Sequence, residues 1–196
     1  MLLQDRLKNY RLILASASPR RRELLAACDI DFTLAERFEC EEQYPADLEA
    51  EKVAEYLSQL KSNAYPTPLA ERDILLTADT VVISGEKILG KPHSEEEARE
   101  MISMLSGATH KVVTGVTLRT VERTVSFSAE SLVSFRTLDA EEIEYYVANY
   151  RPMDKAGAYG IQEWIGYIGI EGIEGSFYNV MGLPVQRLYS SLKELI

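Results

Sequence analysis

The segment ILLTADTVVIS, residues 74–84, is a strongly β-forming run with one residue out of keeping. Asp79 interrupts it, between Ala78 and Thr80. An ionised carboxylate inside a strand buried on both faces is costly unless it is paired, hydrogen-bonded or bound to a cation. The segment predicts a strand over 73–84 and leaves two readings of Asp79. It either sits at a strand end, facing solvent or capping a turn, or it is a metal ligand or general base held at a rigid sheet position.

Around this run the apolar spacing predicts helices over 18–28, 49–64, 94–106, 139–149 and 185–195. Strands are predicted over 11–16, 31–36, 110–120, 124–136 and 165–171, in addition to 73–84. In the second helix Val53, Leu57, Leu60 and Ala64 share the expected apolar face. The helix from 94 opens on Ser94 followed by Glu95, Glu96 and Glu97, a capped and correctly charged start. AYPTPLAERD (64–73) reads as a linker and GEKILGKP (85–92) as a hairpin tip. Strands and helices alternate early and two strands then follow in succession, which implies an α/β fold with a mixed sheet.

The 196 residues suffice for one domain, or for two small lobes sharing a core. A formal net charge of −10 argues against a long polyanion such as nucleic acid as partner. The first ten residues, MLLQDRLKNY, carry charge throughout and do not read as a secretory signal. With no apolar stretch of membrane-spanning length, no membrane span is expected. Two cysteines, Cys28 and Cys40, show no disulfide or metal spacing, and two histidines are too few for a multi-histidine zinc site. Cytoplasm is the expected compartment.

The stretch SASPRRREL (16–24) joins the first strand to the first predicted helix, and the folded part is expected to begin near Leu12. Ser18 suits the N-cap and Pro19 the first helical position. Arg20, Arg21 and Arg22 then follow at a helix end that carries partial positive charge, where bases cost roughly 0.3–1 kcal/mol each. Either the three point to solvent, or an anion sits at the helix start on free N–H groups and arginine forks. On the dipole argument alone, removing Arg20 or Arg21 leaves the ligand-free protein no less stable. Neither a GxxxxGK[ST] loop nor a GxGxxG turn is present, so the usual nucleotide cradles are missing.

Taken in order, LASASPRR (14–21), CEEQYP (40–45), YLSQLKSNAY (56–65), TADTVV (77–82), GKP (90–92), TGV (114–116), DKAGAYGIQ (154–162) and GSFYNVMGLP (175–184) make the chain resemble the Maf family. These are septum-formation-inhibitor-like nucleoside triphosphate pyrophosphatases, and the likeness spans nearly the whole sequence as a single domain. The resemblance implies a twisted mixed sheet flanked by helices, bent into two lobes around a cleft and related to the inosine-triphosphatase-like fold. It implies hydrolysis of nucleoside triphosphates to the monophosphate and pyrophosphate with a divalent cation, Mg²⁺ or Mn²⁺, in a homodimer.

By the same resemblance, Asp79 matches the proton acceptor and, with Glu42, a metal-holding pair; Glu41 is the neighbour of Glu42. Ser16, Arg20, Arg21, Lys61 and Lys91 match the phosphate-binding residues. Arg20, Thr80 and Gln162 match the branch acting on dTTP and UTP rather than on 7-methyl-GTP. Removal of modified nucleotides and cell-division arrest are the roles implied. The rival reading is a regulator of septation that binds nucleotide without turning it over.

Overall fold

The computed structural model describes residues 1–196. Helix α1 (Leu3–Leu7) precedes strand β1 (Arg11–Leu14), helix α2 (Pro19–Ala26) and a short strand β2 (Thr33–Leu34). Helix α3 (Ala50–Ala64) leads to β3 (Asp73–Ser84), then β4 (Lys87–Leu89) and α4 (Glu95–Leu105). Strands β5 (Thr109–Arg119) and β6 (Thr124–Phe135) follow in succession. After them come α5 (Ala140–Tyr150), a 3-10 turn (Ala156–Ala158), α6 (Trp164–Gly169), β7 (Ile170–Glu174), α7 (Phe177–Met181) and α8 (Val185–Leu195). No helix is long and apolar enough to cross a membrane.

Seven strands form a mixed sheet in the order β2-β1-β3-β5-β6-β7, with β4 paired to β3. β1 runs parallel to β2 and to β3, while β4 is antiparallel to β3 and β7 to β6. The expected mixed α/β architecture is therefore present. Two compact units can be distinguished. The first holds Met1–Asp79, Thr114–Ala129 and Gly182–Ile196, the second Thr80–Val113 and Glu130–Met181.

In the first unit, Leu12, Ile13 and Leu14 of β1 and Ile74 through Ala78 of β3 are all buried. Such uninterrupted burial marks strands covered on both faces. Arg11 holds the start of this pair: its Nε and Nη2 donate to the two carboxylate oxygens of Asp73 at 2.8 and 2.6 Å. This bidentate fork keeps the nearly buried Asp73 carboxyl below the usual carboxylate range. Leu3 and Leu7 of α1 are buried too, so the packed structure begins well before Leu12. Two apolar residues one turn apart were too short a pattern to reveal that helix.

The apolar face of α3 is rotated from the expected one. Val53, Ala54, Leu57, Ser58 and Ser62 are buried, and Leu60 and Ala64 are only half-buried. The reason lies on β5, where a Cβ at Gly115 would come within 2.2 Å of the backbone of Ala54. Helix and strand touch backbone to backbone there, so the small residues of α3 turn inward.

In the second unit the strand expected over 165–171 is instead helix α6, with β7 starting only at Ile170. Ile165 and Gly169, four apart, are buried on one face of α6. A Cβ at Gly166 would lie 2.0 Å from the Ile161 carbonyl oxygen, so glycine is required for this tight return. The isoleucine-glycine alternation mimicked a strand pattern. His110 of β5 lies buried in the same unit, with its Nε2 2.8 Å from the Tyr159 hydroxyl and both rings edge-on to Phe135.

The tight Gly115 contact predicts that Gly115→Ala destabilises the fold by about 3 kcal/mol, because backbone on both sides must move; chemical denaturation measures it. His110 makes a second prediction. Burial lowers its pKa from 6.5 to about 4, and its Nδ1 has no partner to receive a proton. The unfolded chain thus takes up the proton first as pH falls. The stability contributed by neutral His110 is complete above the unfolded pKa and is lost between pH 6.5 and about 4, roughly 3 kcal/mol at most. Urea melts across that range should show the loss, and His110→Gln should flatten it.

Candidate active site

Asp79 and Thr80 interrupt the buried run of β3, which resumes at Val81, and Thr77 two residues before Asp79 points to the same face as it. The Thr77 hydroxyl donates to the Ser58 carbonyl of α3 at 2.7 Å. From Ser58 Oγ a chain of hydroxyls continues to Thr117 at 2.7 Å and from there to Ser126 at 2.9 Å, tying α3 to β5 and β6. One turn beyond Ser58, α3 carries Lys61. Its Nζ lies 2.5 Å from Asp79 Oδ1 and 3.1 Å from Glu42 Oε1. Lys61 and Asp79 are sheltered, at 17% and 13% side-chain exposure, whereas Glu42 reaches in from an open loop at 52%. Two carboxylates thus converge on one cation.

Glu42, rather than its neighbour, makes this contact; Glu41 instead accepts from the Gln43 amide at 2.6 Å. Cys40, two residues before Glu42, shares the surroundings of Glu42, Lys61 and Asp79. Burial and the Glu42 charge push its thiol pKa up, which keeps it a neutral thiol. The CEEQYP motif begins with that cysteine, but nothing in the sequence assigned it a role beyond its showing no disulfide or metal spacing.

The start of α2 differs from expectation in one respect and deepens it in another. Ser18 occupies the N-cap position but makes no side-chain cap, and the first turn holds no acid. The three arginines have separate fates. Arg22 folds back so that Nη2 donates to the Ala17 carbonyl at 3.3 Å. Arg20 is half-buried.

Arg21 is buried, with Nε donating to the Gly182 carbonyl at 2.8 Å and Nη1 to Ser16 Oγ at 3.1 Å. Burial lowers the Arg21 pKa, the Asp79 charge raises it, and Arg20 lowers it further. The guanidinium stays charged, and Ser16, Arg20, Arg21, Glu42, Lys61 and Asp79 all act on one neighbourhood of the first unit. Gly182, just ahead of α8, enters through the GSFYNVMGLP segment, whose role as the seat of Arg21 was not legible in the chain.

Thr80, Lys91 and Gln162 belong to the second unit. Thr80 follows Asp79 directly in β3 and is half-buried; Lys91 is exposed just beyond β4. The neighbouring Gly90 carbonyl accepts from Gly157 N–H at 3.0 Å, which pins this segment to the DKAGAYGIQ stretch. Gln162 is exposed in the turn from Gly160 to Glu163, closed by Glu163 N–H donating to the Gly160 carbonyl at 3.0 Å.

Comparison with known proteins gives this arrangement a context. The family described as Maf-like protein matches residues 11–195. A dTTP/UTP pyrophosphatase of Bacteroides thetaiotaomicron is 52% identical over 189 residues, covering 96% of this chain and 98% of that protein. One of Porphyromonas gingivalis is 54% identical over 192 residues, covering 97% and 96%. One of Flavobacterium johnsoniae is 43% identical over 195 residues, the full length of both. Among solved structures, a nucleoside triphosphatase (dITP/XTP pyrophosphatase) of Mycobacterium abscessus aligns over 95% of this chain and 98% of that one. At a TM-score of 0.43 and 13% identity, that likeness is too slight to bear on this chain's chemistry.

The seat of Arg21 overturns the dipole expectation for that residue. Arg21→Ala removes the donor to a buried carbonyl, and is expected to destabilise the free protein by about 1–3 kcal/mol. Denaturant titration of the wild type and Arg21→Ala without nucleotide makes the comparison.

Proposed function

This chain belongs to the Maf-like protein family, and on that premise we propose that it hydrolyses dTTP and UTP to the nucleoside monophosphate and pyrophosphate. One observation carries the reading: two carboxylates, Asp79 and Glu42, converge on the Lys61 ammonium beside a helix start loaded with arginine. A triphosphate needs concentrated cationic donors, and a hydrolytic water needs a fixed acceptor for its proton.

In this reading the α2 N–H groups, Ser16, Arg20 and Arg21 receive phosphate oxygens, with Lys61 and Lys91 as further donors. Asp79, held rigidly in β3, takes the proton of the attacking water. The oxygen of that water bonds to phosphorus as the bond between the α and β phosphates breaks, and pyrophosphate leaves with the bonding electrons. Lys61 has a double part. Without nucleotide it pairs with both carboxylates and offsets one of their two charges, and an incoming triphosphate competes for it.

The donor set fits a divalent cation. Glu42 and Asp79 offer hard oxygen ligands already aimed at one positive charge, and no third acid, histidine or cysteine joins them as a cluster. Mg²⁺ sites of this kind use one or two carboxylates and complete their shell with water and substrate phosphates. Such an ion, held by Glu42 and Asp79, supplies charge neutralisation and a Lewis acid at the phosphates. Arg20, Thr80 and Gln162 set the substrate, with the Gln162 amide hydrogen-bonding the edge of the pyrimidine base.

The decisive experiment measures pyrophosphate release from dTTP, UTP, CTP, GTP, ATP and 7-methyl-GTP with Mg²⁺ or Mn²⁺. dTTP and UTP are expected to exceed the purine nucleotides by at least ~10-fold in kcat/KM, the effect of one lost base pairing. Asp79→Asn should lose about 10²-fold or more in turnover while its Tm holds. Orthophosphate as the product, or wild-type turnover in Asp79→Asn, would overturn the assignment.

A further inference from the structure

Gln162 stands out in its surroundings. From Gly157 to Ile165 it is the single exposed residue, with Gly157 to Ile161 buried before it and Glu163 and Trp164 partly buried after it. A polar amide carried alone on such a base has its position set from beneath, and the structure shows what sets it.

The phenol of Tyr146, fully buried in α5, touches both ends of the turn. Its oxygen accepts the Gly160 N–H at 3.0 Å and its proton goes to Glu163 Oε2. The other oxygen, Glu163 Oε1, lies 3.0 Å from Lys155 Nζ, which is also 2.7 Å from Asp154 Oδ1. Burial and the Glu163 carboxylate raise the Tyr146 pKa, so the phenol remains a donor. There is no slack in the packing: a Cβ at Gly160 would lie 2.9 Å from both Glu163 Cδ and Lys155 Cε. Trp164, next along, sits edge-on against Tyr145 at 4.9 Å and fixes the exit of the turn to the same helix.

We infer that Tyr146, Glu163 and Lys155 form a buried tie that positions the Gln162 turn and thereby governs which nucleotide base is accepted. The inference rests on the reading that Gln162 meets the base, and it adds three positioning residues that touch no substrate. A recognition group discriminates only when held within about 0.5 Å of its place, since a mobile amide adapts to the wrong edge as readily as to the right one. Here the turn is closed by its own backbone bond and locked to α5 by a single hydroxyl serving as acceptor and donor. Its opposite wall is an ion pair screened from water.

The test compares four variants with the wild type by two readouts. The first is hydrogen exchange at the Gly160 amide; the second is the ratio of kcat/KM for dTTP to that for CTP and GTP. Tyr146→Phe loses both hydrogen bonds with little change of shape. It is expected to speed Gly160 exchange at least ~10-fold and to lower the ratio at least ~5-fold. The fall should come from a raised KM for dTTP, with turnover of the poor nucleotides unchanged.

Gly160→Ala, which presses on the tie without touching Tyr146, should do the same. Glu163→Gln keeps an acceptor for the phenol and should restore most of the ratio that Glu163→Ala loses. Faster exchange with an unchanged ratio in Tyr146→Phe and Gly160→Ala would overturn the inference, leaving the tie a purely structural feature. A wild type that favours neither dTTP nor UTP would instead sink the substrate reading itself, and the specificity role with it. The two failures are therefore told apart by the wild-type measurement alone.

Discussion

The approach of α3 to the sheet is the contact on which the first unit depends. Gly115 lets the backbone of β5 meet the backbone at Ala54, and nothing larger fits between them. At that separation the hydroxyls of Ser58, Thr77, Thr117 and Ser126 fall within reach of one another's partners. They satisfy polar groups that burial would otherwise penalise, and they fix the rotation of the helix about its axis. Lys61 then has one place to go. A helix riding farther out on larger side chains would leave the ammonium well short of Asp79 and the carboxylate alone in a sheltered strand. The pairing of acid and base is thus a by-product of a packing distance.

Charge in this protein is distributed against its average. Acids outnumber bases by 31 to 21, yet Arg20, Arg21 and Lys61 gather in one neighbourhood of the first unit. Each is handled differently. Lys61 is balanced by two carboxylates; Arg21 is seated by neutral oxygens and by the charge of Asp79. The helix end therefore needs no bound anion in order to exist. The three neighbours sit in separate surroundings, which is why a run of three arginines cannot be interpreted as a block.

Much of the fold was legible because its long elements carry strong local signals. The strand over 73–84 was read with the bounds observed, and the helices at Ala50–Ala64, Glu95–Leu105, Ala140–Tyr150 and Val185–Leu195 to within a residue or so. At Ser94 the side chain does accept from Glu97 N–H at 3.1 Å, as its sequence context implied. Two of the misreadings were decided by backbone contacts that apolar spacing does not reveal, one local and one distant in sequence. Gly166 against the Ile161 carbonyl turned an apparent strand into α6, and Gly115 rotated the buried face of α3. Asp79 announced itself because a charge in a buried strand violates a local rule. Tyr146 and Glu163 gave no signal, since a tyrosine on an amphipathic helix and a glutamate after a turn violate none.

The outer strands of the sheet bear on how this protein behaves in a crowded solution. One boundary, β2, is only two residues long, and the other, β7, exposes Glu171 and Glu174 beside Gly172. A second chain aligning with β7 would bring like charges together along its length, and one aligning with β2 would find almost no ladder to extend. Open strands are the usual starting points for runaway association. Here β2, like the three-residue β4 paired to β3, is too short to template much, and β7 is electrostatically guarded.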